Sequence, residues 1–336
     1  MPDTSKHPHT SVLVTLANGD FLDQAKQLFS SVYWNAGWKG DYMLLAHEDV
    51  PEEGLRWFRE RGVLVYKIKP ISDASYKGKC SGVVFDKFSL FTPYFKQWKY
   101  VVYLDADVIV RSSIDGLLRF RGFSAVPDGF SEELRREFTR PIVSLRRGYD
   151  LKSPVFNSGV FVMETECVPD DAFEKLLELN RRYAPYVRYG EQAILNLYWF
   201  RKWRRLPETY NVLVNHNQYR NVPPARFRNA VIVHFAWKPK PWDPKNAFCR
   251  EWERNLERAD LIDVRSVPSP AVALRPFMVL VYGIFLKILG GAWKMRKMRR
   301  KAIPGAKEKW FRAMYRVGRI VKKISPALYY ALGGKN

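Results

Sequence analysis

Short apolar runs of strand type alternate with helical patterns along the first 70 residues. Residues 11–17, 41–46 and 63–68 are apolar runs that predict buried strands. Between them, apolar residues from Phe21 to Val32 recur at helical spacing, and residues 51–61 predict a short second helix. This alternation predicts an α/β fold with a parallel sheet and right-handed crossovers.

The apolar run at residues 100–104 ends in two aspartates. Asp105 and Asp107 flank Ala106, and a second apolar run, 108–110, follows. Ionised aspartate is costly to bury unless it is paired or bound to a metal, and strand ends of this kind face the ligand crevice of an α/β sheet. Two carboxylates with one residue between them can project from the same side of an extended chain. There they could bind a divalent cation, and the cation could in turn bind a diphosphate. An Asp-x-Asp also arises by chance about once in a chain of this length.

Polar residues also occur in the elements around this strand. Residues 85–95 predict an aromatic-rich helix that carries Lys87, and residues 123–128 predict a strand that ends in Asp128. The polar segment 130–154 contains five arginines and predicts a loop or small subdomain inserted beside the site.

The strand predicted at residues 155–163 is interrupted by Asn157, Ser158 and Gly159. Small polar residues within an apolar strand indicate either the close approach of a ligand or a β-bulge. The sequence leaves both interpretations open.

Two later elements supply more candidates. Glu191 and Gln192 open a predicted helix that runs to about Trp203, and residues 231–233 predict a buried strand with His234 at its end. A histidine after an apolar run is often structural, but this one precedes a lysine-rich segment and could complete a metal–phosphate site.

Charge is distributed unevenly along the chain. The formal net charge is +22, and 17 of the 56 basic residues but only one acid lie from Val264 onward. Residues 277–289 are too short an apolar run to span a bilayer, and a core helix is the alternative. Beyond Trp310, basic and apolar residues divide between two faces, which favours an amphipathic helix on an anionic membrane surface over a nucleic-acid site or a solvated tail.

Several function and compartment classes are disfavoured. No G-x-G-x-x-G follows the first strand and no G-x-x-x-x-G-K-[ST] occurs, which argues against a dinucleotide oxidoreductase or a P-loop ATPase. No secretory signal is visible. The cysteines Cys80, Cys167 and Cys249 have no metal-binding spacing, and we expect them to be reduced in a cytoplasmic protein attached to the inner face of the membrane.

Taken in order, these motifs resemble the family 8 retaining glycosyltransferases, which include glycogenin and bacterial lipooligosaccharide galactosyltransferases. The resemblance covers about residues 11–245. The motifs are Leu104-Asp105-Ala106-Asp107 with Ile114-Asp115, residues 123–128, Phe156-Asn157-Ser158-Gly159-Val160-Phe161, Glu191-Gln192 with Leu195-Asn196, Leu206-Pro207 with Tyr210-Asn211, and His234-Phe235 with Lys240-Pro241-Trp242.

The resemblance implies a GT-A fold, a Rossmann-like and mostly parallel sheet flanked by helices, and a UDP-hexose donor. If the matching positions have the roles they have in the family, Asp105, Asp107 and His234 bind Mn²⁺ (or Mg²⁺), and Lys240 binds the diphosphate. The nucleotide lies against Thr15, Ala17 and Asn18, with Ala106 and Ser158 also in the donor site. The transferred sugar is surrounded by Lys87, Asp128, Asn157 and Gln192, with Gln192, Glu191 and Asp128 as candidate catalytic residues.

Two positions depart from the family pattern. Trp237 stands where the family often has a glycine near the phosphates, and Glu191 stands where aspartate is usual. The sequence therefore predicts a GT-A domain at residues 1–263, a basic amphipathic helical tail at residues 264–336, and a glycolipid or lipid-linked saccharide acceptor. A glycogenin-like self-glucosylating protein and an inactive membrane-bound scaffold are the alternatives. No nucleic-acid partner is expected.

Overall fold

The computed structural model describes residues 9–71, 76, 81–214 and 225–266. The strands are β1 (Ser11–Ala17), β2 (Asp41–His47), β3 (Leu64–Ile68), β4 (Tyr100–Leu104), β5 (Val108–Val110), β6 (Phe123–Pro127), β7 (Phe156–Glu164), β8 (Arg204–Arg205), β9 (Val212–Leu213) and β10 (Ile232–His234). Seven of them form the main sheet in the order β3-β2-β1-β4-β7-β6-β8. Strands β1 to β4 are parallel, and β7 runs antiparallel to β4 and β6. The predicted α/β fold with a mostly parallel sheet is confirmed.

Helices cover both faces of this sheet. The α-helices are α1 (Leu22–Ser31), α2 (Glu52–Glu60), α3 (Ala172–Tyr183), α4 (Glu191–Tyr198) and α5 (Cys249–Glu257). Because side chains alternate along a strand, Leu13 packs with α1 and α2 on one face, while Val12 and Val14 pack with α3 and α4 on the other. All seven residues of β1 are buried, and each large apolar side chain buried in this way contributes about 1.5–3 kcal/mol.

Two predicted helices differ from the structure. Residues 85–95 do not form one helix but two 3-10 helices, Gly82–Phe91 and Pro93–Gln97, because Thr92 before the proline is extended. The helix that opens at Glu191 ends at Tyr198 instead of near Trp203, and Arg201 has a positive φ just beyond it.

The strand predicted near residues 231–233 belongs to a second sheet. This three-stranded sheet has the order β5-β10-β9, and β5 continues the chain directly after the Asp105–Asp107 turn. Antiparallel pairing sets His234 opposite Val108. The second sheet therefore brings β10 back to the carboxyl end of β4.

The segment between β6 and β7 contains two short 3-10 helices, Leu134–Glu137 and Val143–Arg147. Most of the tail predicted at residues 264–336 lies outside the described residues, and so does Cys80. Cys167 and Cys249 are free thiols. No helix within the described part of the chain is long and apolar enough to cross a membrane.

Candidate active site

Three predicted metal ligands meet where the two sheets join. Asp105 follows β4, Asp107 precedes β5, and His234 is the last residue of β10. One ligand atom from each lies within 4.8 Å of the others. A turn at residues 105–107, rather than the extended chain expected from the sequence, directs both carboxylates to the histidine.

Two asparagines fix the tautomer of His234. The Gly159 amide N–H donates to Asn157 Oδ1 at 3.0 Å, so that this atom is the acceptor, and Asn211 Nδ2 donates to it at 2.9 Å. Asn211 therefore presents its oxygen to His234 Nδ1 at 2.9 Å. Nδ1 must carry the proton, which leaves the Nε2 lone pair facing the aspartates.

This arrangement fits a divalent cation. Asp107 Oδ1 is buried without a hydrogen-bond partner among the described residues, although His234 Nε2 lies 3.2 Å away. An imidazole lone pair and a carboxylate oxygen repel each other unless a cation or proton lies between them. Two carboxylates and one imidazole suit Mn²⁺ or Mg²⁺, and such an ion supplies positive charge for a leaving phosphate.

Gly159 allows these side chains to approach β7. A Cβ at this position would lie 2.3 Å from His234 Cε1 and 2.6 Å from Asp105 Oδ2. Along the β6 edge the register is irregular, since Ala125 pairs with Phe161 but Pro127 pairs with Phe156. This register shift is the kind that the β-bulge interpretation of residues 157–159 predicts, and Gly159 makes room for the His234 and Asp105 side chains.

Lys87 joins the aspartate pair to the helix α4. Its buried ammonium lies 3.1 Å from Asp105 Oδ1 and 2.5 Å from Glu191 Oε1, and 4.6 Å above the Tyr103 ring. Burial alone would lower the pKa of Lys87, but the two carboxylates raise it above the usual range. The lysine is therefore a fixed positive charge between the two acids. Tyr103 holds the same Asp105 oxygen with its hydroxyl at 2.7 Å.

A second network joins the candidate sugar-binding residues. Asp128 Oδ1 accepts hydrogen bonds from the Phe130 and Ser131 amides at 2.6 and 3.0 Å. Its Oδ2 accepts from Gln192 Nε2 at 2.9 Å and from Asn157 Nδ2 at 3.3 Å. These groups are nearly fully buried, so their orientation is set by protein contacts and not by solvent.

Lys240 and the predicted donor residues lie around the metal centre. Lys240 Nζ donates to Asp107 Oδ2 at 2.6 Å and to the Phe235 carbonyl at 2.7 Å. Burial raises the pKa of Asp107, but the Lys240 ammonium outweighs it and helps to hold that pKa well below its usual value.

The nucleotide-binding residues predicted on β1 lie at the adjacent strand end. Val14 pairs with Tyr103 on β4, so Thr15, Ala17 and Asn18 follow beside the Asp105 turn. Thr15 is fully buried, and its hydroxyl finds no hydrogen-bond partner among the described residues. Ala106 is buried within the aspartate turn, and Ser158 donates to Glu191 Oε1 at 2.7 Å.

The sequence did not reveal three residues of the site. Asn211 lies in one of the family motifs, but the resemblance implies no role for it, and Tyr103 lies within an apolar run. Glu137, buried behind Gln192, lies in the arginine-rich segment that the sequence predicts as a loop or small subdomain beside the site, without singling out this residue. Each acts through a partner that is distant in sequence, so no local signal predicts it.

Comparisons with known proteins give matches at the level of family and fold. The sequence profile of Glycosyl transferase family 8 matches residues 13–246. Glycosyltransferase GlyB of Streptococcus pneumoniae is 26% identical over 306 residues, 82% of this chain and 68% of that protein. Galactinol synthase 4 of Arabidopsis thaliana is 27% identical over 234 residues, 63% of this chain and 66% of that protein.

Solved structures share the fold. The galactosyltransferase LgtC, crystallised with donor and acceptor sugar analogs, superposes with a TM-score of 0.57 at 18% identity. The match covers 77% of this chain and 98% of that chain. The predicted GT-A fold is thereby confirmed. Since the family profile spans more than half of the sequence, the chain belongs to glycosyl transferase family 8 and is, with that family, a retaining hexosyltransferase.

Proposed function

We propose that this protein transfers a hexose from UDP-glucose or UDP-galactose to a saccharide carried by a lipid, forming an α-linkage, with Mn²⁺ as the preferred ion and Mg²⁺ as the alternative. One observation carries the proposal. Asp105, Asp107 and His234, whose tautomer is fixed, converge at one point of the structure. The Lys240 ammonium lies beside them and donates to Asp107.

The residues around this centre suit a nucleoside diphosphate. Asp107 holds Lys240, and an incoming diphosphate would compete for the same ammonium. A lysine already beside the metal ligands can stabilise the charge that develops on the leaving UDP. Lys87 does not directly stabilise the leaving UDP in this proposal, because its ammonium already forms ion pairs with Asp105 and Glu191.

Neither candidate nucleophile of the protein is well placed to attack the sugar. This favours direct attack by the acceptor, on the face from which UDP leaves. Gln192 uses both N–H groups and its oxygen in hydrogen bonds, and an amide is a weak nucleophile. Glu191, the alternative, is tied to Lys87 and Ser158. In this step the bond from the anomeric carbon to phosphate breaks and the bond to the acceptor oxygen forms. The acceptor proton passes to the leaving diphosphate.

An aromatic cluster beside the sugar residues supports a saccharide acceptor. The Trp237 ring packs edge-on against Phe130 and Tyr189, at centroid distances of 5.6 and 6.0 Å. Phe130 is two residues from Asp128, and Tyr189 is three residues from Gln192. Partly exposed aromatic rings offer flat apolar surface to a sugar ring. Trp237, where the family often has glycine, thus has a proposed acceptor-side role.

The lipid part of the acceptor rests on the sequence of the tail. A soluble acceptor gives no reason to attach a strongly basic segment to a nearly balanced catalytic body, whereas surface attachment raises the local concentration of a membrane-borne acceptor. Cytoplasmic attachment to an anionic leaflet is part of the same proposal.

The test measures UDP release from a panel of UDP-sugars with Mn²⁺, Mg²⁺ or chelator, with and without membrane extract. We expect turnover of UDP-glucose or UDP-galactose, stimulation by extract, and an α-linked product by NMR. Asp107→Asn should abolish turnover, whereas Asp170→Asn, an exposed aspartate, should not. Absence of binding or turnover with every UDP-sugar would overturn the proposal.

A further inference from the structure

The Gln192 side chain has every hydrogen-bonding group in use. Its oxygen accepts from the Ser158 backbone N–H at 3.1 Å and from Asn157 Nδ2 at 3.2 Å. Because a backbone N–H can only donate, the oxygen must lie on that side. The NH₂ group therefore faces two carboxyls, Asp128 Oδ2 at 2.9 Å and Glu137 Oε1 at 3.0 Å.

Glu137 is an unusual partner because it is completely buried without a counter-ion. Its exposed fraction is 0%, and no described lysine or arginine forms an ion pair with it. Burial, followed by the nearby Asp128 and Glu191 carboxylates, raises the pKa of Glu137 to about 8. A neutral carboxyl group can therefore share the Gln192 amide with Asp128 at neutral pH without charge repulsion.

The backbone holds Glu137 firmly against the segment that precedes α4. The Arg188 amide donates to the Glu137 carbonyl at 2.8 Å, and the Arg188 guanidinium donates to the Phe138 carbonyl at 3.1 Å. On the other side of the short helix, the Arg135 amide donates to the Leu151 carbonyl at 2.9 Å. The backbone on both sides of Glu137 is thus anchored by hydrogen bonds, and its side chain reaches Gln192 from this anchored position.

We propose that Glu137 is a positioning residue for the glycosyl transfer: it orients the Gln192 amide and, through it, Asp128 and Asn157 around the transferred sugar. Without Glu137, one Gln192 N–H is buried without a partner, and the NH₂ group loses one of the two carboxyls that hold it in position. The proposal deepens the proposed function and depends on it for the identity of the donor. It places Glu137 behind the sugar residues, without contact to substrate.

The experiment compares Glu137→Ala, Glu137→Gln and the exposed neighbour Arg136→Ala in the full chain. We expect Glu137→Ala to lower kcat about 10–100-fold, since small misplacements of catalytic groups have effects of this size, while the Kd for UDP with Mn²⁺ stays within about twofold. Glu137→Gln keeps an acceptor oxygen and should retain kcat within about threefold, as should Arg136→Ala. Unchanged kcat in Glu137→Ala, or equal losses in Glu137→Gln and Glu137→Ala, would overturn the proposal.

A second measurement uses the wild-type chain and needs no turnover. Side-chain NH₂ signals of ¹⁵N-glutamine protein are recorded against pH, with Gln192 assigned by its absence in Gln192→Asn. The Gln192 signal should shift as Glu137 ionises, and this shift should vanish in Glu137→Gln. A Gln192 signal unaffected by Glu137→Gln contradicts the proposal. If no UDP-sugar turned over while this shift persisted, the proposed function would fail and the hydrogen bond would stand.

Discussion

At the scale of single residues, backbone amides of one strand decide the orientation of the polar site. The Ser158 N–H fixes the Gln192 amide, and the Gly159 N–H fixes Asn157, then Asn211, then the His234 tautomer. A backbone N–H can only donate, so it determines which atom of each following side chain accepts a hydrogen bond and which donates one. The strand β7 therefore orients both the proposed metal ligands and the proposed sugar-binding residues.

Asn211 should control metal affinity without touching the metal. Asn211→Ala removes the acceptor for the His234 Nδ1 proton, so the imidazole can place its proton on Nε2, the nitrogen that faces the aspartates. Losing such an outer partner typically weakens metal binding about 10–100-fold. The measurement is Mn²⁺ binding by titration calorimetry or electron paramagnetic resonance, with the exposed Asn229→Ala as control. Equal Mn²⁺ affinity in both variants would contradict the tautomer assignment.

Glu137 should make the protein less stable as the pH rises. Its pKa is raised from 4.5 to about 8, so the proton it holds stabilises the folded state fully below pH 4.5. That stabilisation is lost as the pH rises from 4.5 through 8. Relative to wild type, Glu137→Gln should therefore gain stability with pH, by about 1 kcal/mol per unit. Urea unfolding of both proteins between about pH 5 and pH 8 measures the gain, and a difference independent of pH would contradict it.

The sequence could predict the residues whose chemistry is visible by type and position. Asp105, Asp107 and His234 follow apolar runs and are costly to bury without a ligand, so their convergence was foreseeable. Asn211 and Glu137 were not, because an amide or a carboxyl in a loop is ordinarily solvated. Their roles follow from partners that only the tertiary fold brings together.

At the scale of elements, the second sheet is what delivers His234. Its strands are two or three residues long, and the sequence predicts β10 from the apolar run at residues 231–233 but not its partners, whereas β1, β2 and β4 are longer buried runs that the sequence predicts well. The proline at position 93 explains why the predicted aromatic helix is interrupted after Phe91. Local pattern thus predicted most strands of the main sheet and β10, but not the pairing of β10 with β5 and β9 that builds the small sheet.

Arg111 should stabilise this second sheet. Its guanidinium forms a bidentate ion pair with Glu251 of α5 and donates to the Phe227 carbonyl at 2.8 Å. Because the pair is partly buried, at 23% and 34% side-chain exposure, Arg111→Ala should cost about 1–2 kcal/mol. The melting temperature should then fall by about 2–6 °C.

The control for Arg111 is Arg59→Ala. Arg59 pairs with Glu52 on an exposed helix surface, at 47% and 64% side-chain exposure, where ion pairs contribute little. Its melting temperature should stay within about 1 °C of wild type. Equal melting temperatures for the two variants would show that the Arg111 pair does not hold the second sheet to α5.

At the scale of the whole molecule, charge separates a nearly balanced catalytic body from a basic tail. The described chain ends by packing on the body: the Val264 amide donates to the Arg61 carbonyl at 3.0 Å, and Arg265 donates to the Glu60 carbonyl at 2.9 Å. Ser266 Oγ lies 3.3 Å from the Tyr33 hydroxyl. A chain that ends at Pro268 keeps all three contacts, so it separates the charge of the tail from the fold of the body.

Truncation at Pro268 should release the protein from membranes while sparing its chemistry. Sixteen basic residues lie beyond this point, and lysines and arginines near an anionic surface contribute about 1 kcal/mol each at most. Binding to vesicles with anionic lipid, measured by co-sedimentation, should therefore fall at least about tenfold. Binding of the full chain should weaken with added salt, because screening shortens the range of these charges. UDP-sugar hydrolysis should be unchanged, but transfer to membrane-borne acceptor should slow.

If the truncated chain bound such vesicles as well as the full chain does, the tail would not be the anchor. The argument for a lipid-borne acceptor would then lose its support, whereas the metal site and its donor chemistry, built within residues 9–266, would be untouched.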